Sequence, residues 1–506
     1  MKKQGFDTKR YLEVQTQAIL DRVKKFDGKL YLEFGGKLCY DYHAARVLPG
    51  YEPDTKVKMF QQLKKDLEII YCVSAKDLQK GKITSVSVGL TYDQQTLKDI
   101  HELHEKGTDI FGVVITRFER EEAAERFKRE LENLGIKVYV QNEIRNYPQD
   151  IDFVVSDQGF GTQSYVETEK PLIIVTGVGG GSGKMCFCLS QLYHDSKRGI
   201  NSGYAKFETF PIWNLPLNHP VNVAYEASTA DLGDEVMIDH FHLKAYNLSA
   251  VSYNRDIENF DIMKKIFEKI VSKENFVAEY RSPTDMGVNR VKDGIIDDTI
   301  VQEAARQEII RRYFQYKKDF LKGIVTRETV ERVKQLMKKI DLKIEDRKVV
   351  LPAREAAQAA EKRGKGHKGI FCGAAIQLPD GKIVTGKNSP LLHAESAAIL
   401  NAIKVLANIP DEINLLSQNI LENIASLKKK VLGSRSESLN VEETLTALAI
   451  SAATNPMAAT GIEMLKQLKE CEMHVTHVLS NGDEAGLRKL GLNVTTDAIP
   501  TVKYIR

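Results

Sequence analysis

Short apolar runs separated by charged amphipathic stretches fill the first ~300 residues. The strand candidates are KLYLEF (29–34), LEIIYCV (67–73), FGVVITRF (111–118), IKVYV (136–140), DFVVS (152–156) and LIIVTG (172–177). Between them lie helical patterns such as 119–134, and this alternation predicts a largely parallel sheet with helices on its faces. From 297 to 343 the pattern is helical almost throughout, with Gly323 as a stop and Thr326 as a new N-cap, so a helical hairpin is expected. Further on, FCGAAIQLPDGKIVTGKNS reads as two strands joined by a Pro-Asp-Gly turn, and LLHAESAAILNAIKVLA as a strong helix. The resulting α/β division is 1–296, a mostly parallel sheet region with a P-loop-like glycine turn; 297–345, a helical connector; and 346–506, a smaller α/β domain. The segment EKRGKGHKG (361–369) has the composition of a solvated linker, with a phosphate clamp as the other reading.

Composition narrows the classes. A chain of 506 residues exceeds a single ordinary core, and 72 Lys+Arg against 69 Asp+Glu give a net charge of +3. Neither nucleic acid nor an anionic membrane is prompted by that balance. No apolar window approaches the ~20 residues of a membrane helix, and no apolar run follows the charged start, so a cytoplasmic protein is expected. Six scattered cysteines without a CxxC pair argue for reduced thiols and against a thiolate zinc site.

The stretch PLIIVTGVGGGSGKMCFCL (171–189) carries the sharpest chemistry: an apolar strand, a glycine cluster, a lysine, then a helix. Backbone amides of Gly177, Gly179, Gly180, Gly181, Ser182 and Gly183 can turn toward one phosphate, and Lys184 can reach it with its charge. The P-loop pattern is incomplete, because Val178 stands where glycine is required and Met185 where a magnesium-binding hydroxyl is required. A tight glycine turn between strand and helix is the competing reading.

In the C-terminal part, a hairpin followed by His393-Ala394-Glu395 at a helix start resembles the first half of the cytidine-deaminase fold. There the histidine binds zinc and the glutamate shuttles a proton. The comparable P-C-x-x-C position reads Pro456-Met457-Ala458-Ala459-Thr460, so the resemblance implies a deaminase-like fold without the zinc cysteines. Glu395 is either a catalytic carboxylate in another role or a helix-capping one.

The middle of the chain offers further candidates. Glu226 follows VNVAY and Asp239 follows VMI, and a carboxylate at a strand end suits a magnesium–nucleotide site. Asp239, His240 and His242 have metal-ligand chemistry, but their spacing equally suits one face of a strand, and no metal is assigned to them. Arg255 in SYNRDIE and Arg281 in RSPTDMGVNR suit an anionic ligand, with surface ion pairs as the alternative. Near the N-terminus, Gly35-Gly36-Lys37 is either a second phosphate turn or a plain tight turn.

Taken together, FGGK with HAARVLPG, the GVGGGSGKM loop, YNRD with SPTDMGVN, and the HAESAAI helix resemble a family of uncharacterised bacterial cytosolic proteins of about 500 residues. The resemblance covers essentially the whole chain and implies no particular reaction.

The expected function is binding of a nucleotide or phosphorylated small molecule at 179–184, with phosphoryl or nucleotidyl transfer as its catalytic form. In that form ATP or another nucleotide binds with magnesium, Lys184 neutralises phosphate, Glu226 or Asp239 holds the metal, and Arg255 or Arg281 steadies developing charge. No zinc is expected, nor nucleic acid or membrane partners; a homo-oligomer is compatible. The alternative is a non-catalytic ligand sensor or assembly protein built on a zinc-free deaminase-like domain.

Overall fold

The computed structural model describes residues 4–84, 89–434 and 436–500. The described residues fall into two compact units, the first up to Ala305 and the second from Arg306 onward.

The first unit is organised by strands β1 (Leu30–Phe34), β2 (Leu67–Ser74), β3 (Gly112–Phe118), β4 (Val138–Asn142), β5 (Leu172–Gly177) and β6 (Gly203–Phe207). They form one sheet in the order β4-β3-β2-β5-β1-β6. Every pairing in it is parallel. Parallel strands covered on both faces read as continuous apolar runs, and Leu172–Val175 of β5 are all inaccessible. Helices connect the strands, among them Glu122–Asn133 between β3 and β4 and Lys184–Lys197 between β5 and β6.

The strand order creates a switch point. β2 leads outward to β3 on one side, whereas β5 leads across β1 to β6 on the other. Adjacent strands whose connections depart in opposite directions leave a crevice at their carboxyl ends, the usual ligand position in open parallel sheets.

Several local expectations are corrected. DFVVS is not a strand: Ile151–Val154 form a helical turn, begun by the Asp150 side chain accepting from the Phe153 amide. VNVAY is also helical, within Pro220–Ser228, where Pro220 occupies the first turn and its missing N–H costs nothing. Glu226 therefore sits on a helix and not at a strand end. His240 and His242 lie in the helix His240–Tyr246, which Asp239 caps, so the strand-face reading fails. GYAKF, unassigned from the pattern, is β6, paired in parallel with β1, and its buried Lys206 has a carboxylate partner in Asp256. A small antiparallel pair, β7 (Val236–Ile238) and β8 (Val251–Tyr253), completes the unit.

In the second unit, β9 (Gly373–Gln377), β10 (Ile383–Lys387), β11 (Glu472–Val475) and β12 (Asn493–Thr496) are ordered β10-β9-β11-β12. β9 runs antiparallel to both neighbours, and β11 is parallel to β12. The expected hairpin turns at Gly381, whose φ of 90° favours glycine. Helices cover both faces. On one face a Cβ at Gly386 would stand 2.2 Å from the Ala398 nitrogen, so the helix Ala394–Leu406 lies directly on β10. On the other, a Cβ at Gly373 would stand 2.2 Å from the Ala353 carbonyl of the helix Val350–Lys362. The helices Asp298–Leu321 and Arg327–Lys339 precede this unit's sheet, the latter starting after Thr326. Among the described residues no helix is long and apolar enough to cross a membrane.

Candidate functional site

The glycine loop leaves β5 at the switch point, and tertiary contacts explain most of its glycines. Gly177 pairs with Cys72 of β2, and a Cβ there would lie 2.3 Å from the Cys72 carbonyl oxygen. Gly183 has φ 82°, and its Cβ would lie 2.6 Å from Thr116 Oγ1 of β3. That hydroxyl donates to the Ser182 carbonyl at 2.9 Å, stitching the loop to the sheet. Gly180 and Gly181 form an exposed crown. A Cβ on Gly179 would meet the Tyr92 hydroxyl at 3.1 Å.

Lys184 opens the helix Lys184–Lys197, whose N-cap, Gly183, supplies no side chain to the first-turn amides. The Lys184 ammonium folds over the loop, donating to the Gly179 carbonyl at 3.2 Å and lying 3.4 Å from Ser182 Oγ. Ser182 is fully buried. Its hydroxyl thus underlies the loop and does not stand on its crown.

The helix Asn254–Ile270 begins beside this loop. Arg255 Nη1 stands 4.0 Å from the place a Gly180 Cβ would occupy, while Arg255 Nη2 pairs with Asp234 at 2.5 Å. The next residue, Asp256, accepts from buried Lys206 at 2.6 and 2.7 Å. Burial opposes the Lys206 charge, but Asp256 and Glu208 outweigh it and hold the ammonium above its ordinary range. Burial pushes Glu208 up to about 7 against the pull of Lys206. Glu208 accepts from the Tyr253 hydroxyl and lies against Gly35, where a Cβ would meet its Cγ at 2.9 Å. The carboxyl ends of β1 and β6 thus carry a polar cluster that shares the helix Asn254–Ile270 with the glycine loop.

The remaining candidates lie elsewhere. Asp239 is inaccessible, and its carboxylate accepts from the His242 amide (2.9 Å), the Thr284 amide (3.1 Å) and the Thr284 hydroxyl (2.6 Å). It serves as a buried cap joining two segments. Glu226 is buried on the helix Pro220–Ser228. Arg281 is exposed, its amide donating to Asp285 Oδ2 at 2.8 Å. Its segment continues to Gly287, which bridges to Lys206 of the edge strand β6. The Gly35-Gly36-Lys37 turn directs carbonyls of Gly35 and Lys37 at buried Lys56, at 3.3 and 3.1 Å.

Glu395 belongs to the second unit. It sits in the first turn of the helix Ala394–Leu406, fully buried between His393 Nδ1 at 3.7 Å and His477 Nε2 at 3.6 Å. Burial alone would raise its carboxyl, yet the two imidazoles hold it far below the usual carboxylate range. His393 Nδ1 also stands 2.8 Å from Asp483 Oδ2. Met457 is 40% exposed, and the Thr460 hydroxyl donates to the Pro456 carbonyl.

Sequence reasoning missed Thr116, Lys206, Glu208, His477 and Asp483. Only Asp483 carried a local signal, the Ser480-x-x-Asp483 helix-start pattern, which the Ser480 cap fulfils.

Comparison with known proteins matches residues 4–341 to the N-terminal domain of unknown function DUF1846 and residues 345–503 to its C-terminal counterpart. A UPF0371 protein of Clostridium botulinum (strain Eklund 17B / Type B) is 51% identical over 493 residues, 97% of each chain. A UPF0371 protein of Clostridium tetani (strain Massachusetts / E88) is 50% identical over the same share. The two-part match and the near-complete coverage show that the chain belongs to the DUF1846 family of bacterial UPF0371 proteins.

Proposed function

We propose that the first unit binds a nucleotide or phosphorylated small molecule at the Gly179–Lys184 loop. The observation that carries this reading is the loop's position at the switch point between β2 and β5, with an uncapped helix start and Lys184 beside it. Exposed glycines let a phosphate approach the backbone, and Arg255 stands beside the crown as a second cation.

Two observations favour a binding role over phosphoryl transfer. Asp239 spends both carboxylate oxygens on backbone and hydroxyl donors, and Met185 replaces the magnesium-binding hydroxyl. The loop then serves as a sensor of a phosphorylated ligand. The strand order β10-β9-β11-β12, with β9 reversed, supports a deaminase-like scaffold for the second unit. Six cysteines that form no disulfide among the described residues support a cytoplasmic setting.

Titration calorimetry with ATP, ATP–magnesium and inorganic phosphate tests the reading. Lys184→Ala should weaken binding more than about tenfold, roughly 1.4 kcal/mol, with an unchanged circular dichroism spectrum. The reading fails if wild-type protein binds none of these ligands, or binds them as the variant does. Phosphate release from ATP–magnesium separates the transferase form from the sensor form.

A further inference from the structure

The second unit holds a polar cluster for which the glycine loop has no use. His393 precedes the helix Ala394–Leu406, Glu395 lies in its first turn, and Asp483 lies in the first turn of the helix Asn481–Lys489. One ligand atom from each of the three lies within 4.8 Å of the others.

Glu395 is the second, independent observation. It is inaccessible, and among the described residues neither of its carboxylate oxygens has a hydrogen-bond partner. Its nearest imidazole nitrogens stay at 3.6 and 3.7 Å, beyond hydrogen-bond reach. Leaving a buried acceptor unbonded costs about 1–3 kcal/mol, and more for a charged group.

We propose that His393 Nδ1, Glu395 and Asp483 bind one divalent transition-metal ion of the zinc–manganese class. Ligand atoms 2.0–2.2 Å from a tetrahedral ion stand about 3.4 Å apart. The separations of 2.8 Å from His393 to Asp483 and 3.7 Å from His393 to Glu395 bracket that value. The third separation, Glu395 to Asp483, is within 4.8 Å, so the three donors face one point.

The donor set selects the ion class. One imidazole with two carboxylates suits borderline ions such as Zn2+, Mn2+, Fe2+ or Co2+, whereas Mg2+ and Ca2+ prefer all-oxygen sites. Two helix starts bring roughly +0.5 charge each, and the two carboxylates outweigh them. Asp483 is already oriented for ligation. Its Oδ1 accepts from the Val441 amide at 2.8 Å, and its Oδ2 from the Ser480 hydroxyl at 2.5 Å. His393, with a quarter of its side chain exposed, gives the ion a route in.

Under this proposal His393 finds its companions for a metal outside the deaminase-like cysteine position. The companion proposed is the Asp483 carboxylate, 90 residues along the chain and 2.8 Å from His393 Nδ1, in place of a cysteine near Pro456.

The test uses full-length protein stripped with a chelator and dialysed. Calorimetric titration with Mn2+ and with Zn2+ should show one ion per chain, weakened at least tenfold in Asp483→Asn and in Glu395→Gln. Co2+ added to wild-type protein should give visible bands of nitrogen–oxygen ligation without the intense thiolate-to-metal band. Absence of a stoichiometric ion, unchanged affinity in either variant, or a thiolate band pointing to Cys372 overturns the proposal. If the variants do not fold, the wild-type Co2+ spectrum decides it alone. Phosphate-ester binding at Lys184 should be the same in the stripped and loaded protein, so the two sites fail or succeed separately.

Discussion

Thr116 and Gly183 are interlocked: the threonine hydroxyl fills the space a Gly183 side chain would need and donates to the Ser182 carbonyl at 2.9 Å. Through this pair β3 sets the height of a loop that emerges from β5, two strands away. Gly183 also has φ 82°, a conformation that costs other residues about 1–3 kcal/mol. Gly183→Ala is therefore expected to destabilise the first unit by at least ~2 kcal/mol, combining backbone strain with the clash. Gly183→Ala combined with Thr116→Ala should recover part of the loss, because only the steric component is relieved. Urea unfolding of the single and double variants measures both.

Asp41 and Lys56 give a pH-dependent contribution. Burial would raise the Asp41 carboxyl, but Lys56 at 2.9 Å and the Ala44 amide hold it below its ordinary 3.8. A depressed folded pKa adds stability that is full at neutral pH and is lost as pH falls below about 4 through the folded value. Wild-type protein should lose stability between pH 5 and 3 more steeply than Asp41→Asn, on top of the loss both share. Lys56→Met should cost about 3–5 kcal/mol at pH 7, since it leaves a buried carboxylate unpaired. Denaturant midpoints across the pH range report each value.

Arg347 is the largest fully buried side chain among the described residues of the second unit and ties four strand residues together. Its guanidinium donates to Thr495 Oγ1 at 2.9 Å, to the carbonyls of Met473 and Asn493 at 3.1 and 2.8 Å, and to Glu472. An ammonium cannot satisfy acceptors spread over a planar fork. Arg347→Lys is expected to lose most of what Arg347→Ala loses, about 3 kcal/mol or more. Near-parity of Arg347→Lys with wild type in chemical denaturation would contradict this account.

The cysteines should be inert in the native state. None of the six forms a disulfide among the described residues, and burial pushes the Cys39 thiol up to about 12, with Asp99 and Glu102 adding to it. Thiolate is the reactive form, so labelling by a disulfide reagent at pH 7 should run at least about tenfold slower than in urea. Thermal unfolding should not change with added reductant.

What the sequence determined by itself was local. Runs such as LIIVTG identified their strands because burial on both faces leaves little but apolar residues, and Pro-Asp-Gly identified the hairpin because few residues tolerate such a turn. The glycine loop was legible too, since strand, glycines and Lys184 are neighbours in the chain. VNVAY misled because a buried helix is apolar all round and shows no helical period, and GYAKF hid because a lone buried lysine breaks the apolar pattern. Only the tertiary structure decided which side chains meet. Parallel pairing carried Thr116 and Cys72 beneath a loop more than sixty residues further along, and packing of one helix start brought Arg255 to its crown. In the second unit two helix starts closed on each other and set Asp483 against His393 and Glu395. Such meetings depend on strand order and packing, which local periodicity does not encode.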